Sequence, residues 1–252
     1  MLSSLFWLAL SAASIVSGAP VEKRAVIDHD AVVGFAETVP SGTAGELYLK
    51  YKPHLYVVNG CVPFPAVDAE GNTRLVFPLI SADDHLAHSL PSGGLDTTGA
   101  SNGDCASSTG QVYARATTYN GNYAIMYAWY MPKDSPSDGL GHRHDWEGIV
   151  VWLSGASTSA TLLGVAASAH GDFETTTSPN LSGTSPLIRY YSVWPVNHQL
   201  GFTSTVGGTQ PLIAYESLTD AARTALETTD FGSANVPFKD ANFQNNLALA
   251  AL

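Results

Sequence analysis

Residues 141–147 read Gly-His-Arg-His-Asp-Trp-Glu, a dense polar cluster in a chain that is only 13% charged. The run before it, Ala124-Ile125-Met126-Tyr127-Ala128-Trp129-Tyr130, is apolar and aromatic. The run after it, Gly148-Ile149-Val150-Val151-Trp152-Leu153, is apolar and β-branched. Short apolar runs of this composition, bounded by Pro and Gly, predict buried strands. The polar heptapeptide therefore falls where one core strand ends and the next begins. Charge near a core is costly unless it is paired or binds a metal, so the fold must compensate this cluster.

Side chains alternate along a strand. His142 and His144 share one parity, and Asp145 and Glu147 share the other. A regular strand would split the cluster between two faces. If His142 joins the carboxylates, residues 141–144 must be irregular, which Gly139 and Gly141 permit. A turn at Lys133-Asp134-Ser135-Pro136 can add a third carboxylate, Asp134. Three carboxylates and one imidazole suit a hard divalent cation, Mg²⁺ or Ca²⁺. Two alternatives stay open on spacing alone: a zinc site using His142 and His144 with a carboxylate, and a metal-free network in which Arg143 neutralises the acids.

The ends and the cysteines bound the class. Residues 1–24 are expected to be a signal peptide and short pro-segment: Leu5-Phe6-Trp7-Leu8-Ala9-Leu10 is apolar, Ser17-Gly18-Ala19 are small, and Lys23-Arg24 offers a second processing site. The apolar stretch is too short for a membrane span. Secretion makes Cys61 and Cys105 a disulfide pair. It would close a loop of about 45 residues, worth roughly 4 kcal/mol on the chain-entropy model. Asn180-Leu181-Ser182 is a glycosylation sequon and predicts a surface position. The formal net charge of −11 disfavours nucleic acid and simple attraction to anionic lipid.

No repeat or linker divides residues 25–252, which are read as one domain. The spacing predicts strands at 55–58, 75–80, 111–119, 123–131, 148–153, 161–169, 188–196 and 212–215. The turn Asn120-Gly121-Asn122 predicts a hairpin. Residues 81–110 read as loops. A short helix is expected at 31–37, and later helices at 220–227, capped by Ser217 or Thr219, and 241–250, capped by Asp240. Many short strands with few helices predict a mainly β fold, a β-sandwich with peripheral helices. A second cluster, Ser192 to Gln199, places Trp194 near His198, a pattern that suits a sugar site or a core Trp at a strand end. His29, His54, His85, His88 and His170 lack ligand spacing and read as ordinary histidines. No G-x-S-x-G nucleophile motif is present.

At residues 141–147 the chain resembles the necrosis- and ethylene-inducing-like proteins, the NLP cytolysin family, whose signature is this heptapeptide. The resemblance extends to 60–68, 111–115, 124–134, 210–213 and 235–238, and two cysteines match the single-disulfide subgroup. It implies a β-sandwich of two antiparallel sheets with peripheral helices, similar to actinoporins. It implies a secreted, extracellular cytolysin and virulence factor, not an enzyme, that binds plant plasma-membrane sphingolipid headgroups and triggers necrosis and immunity. Carried over by motif, a divalent cation (Mg²⁺ or Ca²⁺) would be held by Asp134, His142, Asp145 and Glu147, with Trp194 and His198 on the headgroup sugar. Arg143, His144 and Trp146 would support the motif. Residues 124–147 resemble the pattern that plant immune receptors recognise. A monomer in solution is expected. The chain departs from the family at Tyr215, where Trp is expected, and at Asn197, where some members carry an acid. The rival expectations are a metal-dependent hydrolase or cupin-like enzyme built on His142, His144 and Glu147, and a non-lytic sugar-binding or immunogenic protein.

Overall fold

The computed structural model describes residues 26–68, 91–192 and 195–252. The two long apolar runs pair as neighbours at the centre of a six-stranded sheet. They are β3 (Asn122–Asp134) and β4 (His142–Leu153), preceded by α1 (Thr43–Lys50), β1 (His54–Val57) and β2 (Val112–Tyr119). After them come β5 (Leu162–Ala169), β6 (Asp172–Thr176), β7 (Leu181–Ser182), β8 (Ser185–Ser192), β9 (His198–Phe202) and β10 (Leu212–Ala214). A 3₁₀ turn (Tyr215–Ser217), α2 (Asp220–Thr228) and α3 (Asp240–Leu249) close the chain. The large sheet has the order β10-β2-β3-β4-β5-β6. The smaller sheet runs β1-β8-β7, with β9 also on β8. Each sheet is antiparallel except for one parallel pair, β1 with β8 and β10 with β2. A sandwich with peripheral helices is thus the observed class.

Both faces of the central strands are covered, which explains why they read as continuous apolar runs rather than alternating ones. Every residue of β3 from Tyr123 to Asp134 is buried. On one face Tyr127 donates its hydroxyl to the Tyr48 carbonyl of α1 at 2.8 Å, and Asp145 meets Tyr190 of the smaller sheet. On the other, Trp152 Nε1 donates to the Ala250 carbonyl at 2.8 Å, past the end of α3. The turn at Asn120-Gly121 joins β2 and β3, both residues having positive φ, 48° and 85°, as a tight hairpin demands. Cys61 and Cys105 are bonded, with Cα atoms 5.0 Å apart, and Asn180 is exposed.

Four expectations change. Asp240 does not cap α3: it is the first helical residue, and the N-cap residue Lys239 makes no side-chain cap bond. Residues 31–37 form no helix: Gln111 takes the Phe35 N–H at 2.6 Å, and Thr38 pairs with the Leu212 carbonyl at 2.8 Å, so tertiary partners win. The first helix is instead α1. Its Gly45 hid it in the sequence, yet a Cβ there would sit 1.9 Å from the Pro40 carbonyl oxygen, so the close approach requires glycine. Residues 198–202, where no strand was predicted, form β9 against β8. The expected strand at 75–80, His85, His88, Val193, Trp194 and the 1–24 leader lie outside the described residues.

Candidate functional site: an acidic cavity beside β4

β4 is paired with β3 along nearly its whole length, but its pairing with β5 begins only at Ile149, opposite Ala167. The half that precedes Ile149 has one sheet partner instead of two. A cavity of about 510 Å³ opens there. The β5–β6 turn at His170-Gly171, residues 197–198 and the stretch Ser233–Pro237 with α3 wall it. Asp134, His142, Asp145 and Glu147 all line it.

Register explains the convergence. Asp134 and His142 are cross-strand partners, which brings the turn carboxylate beside the motif imidazole. Gly141 makes this possible: its φ is +91°, and a Cβ would lie 1.9 Å from the Asp134 carbonyl oxygen. The irregularity that parity demanded sits at His144, with φ of +62°, a left-handed value rare outside glycine. It turns His144 away from the carboxylates. The His144 ring is buried against Phe231, 5.2 Å between centroids, with Nδ1 2.7 Å from the Tyr130 hydroxyl. Burial, then the Arg143 charge, push its pKa down to about 4. Trp146 packs beside it among Tyr113, Tyr130, Phe231 and Phe238, its indole N–H without a partner among the described residues. His142 and His144 therefore do not face one point, and the paired-histidine zinc arrangement is not formed.

Each donor is held from behind. His142 Nδ1 lies 2.7 Å from the His144 carbonyl oxygen. A carbonyl only accepts, so in the neutral ring Nε2 keeps the lone pair, and it faces Asp134 Oδ2 at 3.8 Å. Tyr190 donates to Asp145 Oδ2 at 2.7 Å. Ser168 donates to Glu147 and accepts the Gly148 N–H at 2.9 Å. Asp134 accepts from the His198 backbone N–H at 3.1 Å and from its ring Nδ1 at 2.7 Å.

No lysine or arginine lines the cavity among the described residues. Arg143, expected to screen the acids, is exposed and pairs outward with Asp96 and the Gly93 carbonyl. Residues 143 and 145 would share a face in a regular strand, so the reason is the left-handed backbone at His144, which breaks the alternation between them. Burial raises the pKa of Asp145 and of Glu147 well above the ordinary carboxylate range, and their mutual repulsion with Asp134 adds to it. The His198 ring is buried, stacked on Tyr190 at 4.7 Å and bonded through Nδ1 to Asp134, so it holds that carboxylate while also lining the cavity.

Among the described residues, no three His, Cys, Asp or Glu side chains stand close enough together to hold an ion as placed. The donor chemistry nonetheless fits a hard divalent ion: three carboxylates and an imidazole whose free nitrogen faces inward, each fixed by a further hydrogen bond. Tyr190 and Ser168, which orient the acids, carried no sequence signal, being 45 and 21 residues from their partners. His170, read as ordinary, lies on the cavity rim.

A family model described as necrosis-inducing protein, NPP1, matches residues 45–75 and 86–250. NLP effector protein 10 of Phytophthora capsici is 49% identical over 234 residues, which are 90% of this chain and 92% of its own. A solved structure of NLPPya in complex with mannosamine shares 48% identity and a TM-score of 0.79, covering 90% of this chain and all of that one. Another, described as a toxin fold as basis for microbial attack and plant defense, shares 47% identity and a TM-score of 0.80 over the same shares.

Proposed function

The chain belongs to the necrosis-inducing NPP1 family and has its toxin fold, and from that premise we propose that it is a secreted, cation-dependent cytolysin that engages plant sphingolipid headgroups. One observation carries the reading: Asp134, Asp145 and Glu147 are buried around one cavity that no lysine or arginine lines among the described residues. Buried charge needs a counter-charge, and no described residue lining the cavity supplies it. Asp134, His142, Asp145 and Glu147 would hold Mg²⁺ or Ca²⁺, which when bound supplies positive charge at the floor of an otherwise acidic cavity.

The protein's own residues do the rest. Tyr190, Ser168 and His198 aim the three carboxylates, and the His144 carbonyl fixes the tautomer of His142. A net-acidic protein then meets an anionic or hydroxylated headgroup at this one place. The relative solved with mannosamine supports a sugar in the ligand. None of the described helices is long and apolar enough to cross a membrane. Residues 124–147 are proposed as the segment a plant immune receptor reads. Because Ala124–Asp134 is buried, recognition would require the chain to be opened first.

The test is dye release from vesicles carrying plant glycosylated sphingolipid, with and without chelator. Wild-type protein is expected to lyse them only with free Mg²⁺ or Ca²⁺. Asp145→Asn keeps the side-chain shape and removes charge, so it should fold and fail to lyse. A folded Asp145→Asn protein that lyses like wild type rules out this cavity as the route to function.

A further inference from the structure

The smaller sheet breaks the acidic character of the chain. Its strands β1, β7, β8 and β9 contain no aspartate or glutamate, although the chain has 22 of them and a formal net charge of −11. Side chains alternate along β8. Ile188 and Tyr190 point into the sandwich and are buried, so Arg189 and Tyr191 stand on the outer face. Tyr56 of β1, the register neighbour of Arg189, is exposed there, as is Val58.

Arg189 is built unlike the other described arginines. Arg115, Arg143 and Arg223 each pair with an aspartate. Arg189 has no ion-pair partner among the described residues, and its Nε–H is sealed from solvent without a hydrogen-bond partner there. Its guanidinium lies 4.1 Å from the Tyr191 ring centre. The cross-strand partner, Gly201, leaves the space for this. A Cβ at Gly201 would lie 2.9 Å from Tyr191 Cε1 and 3.5 Å from both Arg189 Nε and the Tyr191 hydroxyl oxygen. The two side chains therefore lie over β9, and their polar groups converge above one glycine. Gln199 donates to the Tyr191 hydroxyl oxygen at 3.1 Å, which leaves the hydroxyl's own hydrogen to donate outward.

The result is a patch of donors with no carboxylate on the strands around it. A guanidinium fork matches the paired oxygens of a phosphate. Two observations favour the phosphate of a lipid. Tyr56 and Val58 add exposed aromatic and apolar surface, the mixture that suits a headgroup layer, wet at one end and apolar at the other. The patch is also continuous with the cavity. Ser192, three residues along β8 from Arg189, pairs with His198, which lines the cavity; at strand rise that is about 10 Å.

We propose that Arg189, Tyr191 and Tyr56 form a second membrane contact, which takes the phosphodiester of a lipid next to the one held in the cavity. The contact needs no cation. Its placement at a membrane rests on the reading of the cavity as a headgroup site, and its chemistry on the patch alone.

The experiment has two arms. The first titrates dimethyl phosphate into the ¹⁵N-labelled full chain in chelator and follows the Arg189 Nε–H by NMR, the signal being assigned by its loss in Arg189→Lys. It should shift in wild type and equally in folded Asp145→Asn. No shift overturns the proposal, and a larger shift with galacturonate overturns the lipid assignment in favour of an anionic polysaccharide. The second arm sediments the protein with vesicles of phosphatidylcholine and plant glycosylated sphingolipid in Ca²⁺. Arg189→Gln should bind about fivefold more weakly, the loss of one basic contact at a lipid surface, with Ca²⁺ affinity unchanged. The gap should narrow as salt is raised, which a purely structural role would not produce. Equal binding by wild type and folded Arg189→Gln overturns the proposal. If wild type binds equally with and without chelator, the cavity reading fails, and the Arg189→Gln gap still decides this contact. A dimethyl phosphate shift in a wild type that binds no vesicles would limit the patch to free phosphate and overturn the lipid contact.

Discussion

Two charged clusters in this molecule are built in opposite ways. At the junction of β2 with the C-terminal helices, Arg115 donates to the Phe238 carbonyl and to Asp240, both at 2.7 Å. Its guanidinium lies 4.1 Å from the Tyr215 ring centre and 4.7 Å from that of Phe243. Tyr215 donates to Glu227 at 2.8 Å, and Glu227 also accepts the Asp240 N–H at the start of α3. Every charge there meets an opposite charge, a ring or a helix end. The cavity beside β4 has three buried carboxylates, hydroxyl and imidazole donors behind them, and no lysine or arginine lining it among the described residues. The first cluster is complete as it stands and fixes the helices. The second has no opposite charge among its described lining residues, and the proposed ligand would fill that place.

The sharpest break in this contrast is pH. Asp145 and Glu147 have folded-state pKa values raised above their unfolded ones. For an acid, that sign means stability is fully present below the unfolded pKa and is lost as pH rises through the folded value. Each unit of the shift is worth about 1.4 kcal/mol. His144, depressed to about 4, acts oppositely, losing stability as pH falls from its ordinary value near 6.5, and it adds no slope above that. In chelator, thermal midpoints should therefore fall from pH 6.5 to 8.5. Saturating Ca²⁺ should flatten the profile, and Glu147→Gln should flatten it without Ca²⁺. A flat wild-type profile in chelator would show that the cavity acids are neutralised from within.

Breaking the complete cluster should cost stability and nothing else. Arg115→Ala removes a charged hydrogen bond to the Phe238 carbonyl and the ring contacts, about 2 kcal/mol together. The exposed Asp240 pair adds little. Urea unfolding should show a lower midpoint with unchanged m, while calorimetry finds Ca²⁺ affinity within about twofold of wild type. A large loss of cation affinity would mean that the two clusters are one network.

The smallest effect is expected at Asp96→Ala, which removes the exposed partner of Arg143. Its cost should lie within about 0.5 kcal/mol, with vesicle leakage unchanged. Loss of leakage would return Arg143 to the functional site.

The sequence alone determined the central hairpin, the disulfide partners and the donor types at the motif, and it narrowed the cap of α2 to Ser217 or Thr219, of which Thr219 Oγ1 accepts the Ala222 N–H at 3.2 Å. These rest on local chemistry: periodicity, turn residues, cap preference and cysteine count. It also showed, from parity, that a regular strand would split the motif between two faces. Only the tertiary structure decided that the kink falls at His144, that Arg143 points outward, and that β5 leaves half of β4 open. It alone brought Tyr190, Ser168 and His198 behind the acids. The physical reason is register. A strand carries its period in its own residues, but its neighbour and the point where pairing ends are set by the packing of the whole sandwich.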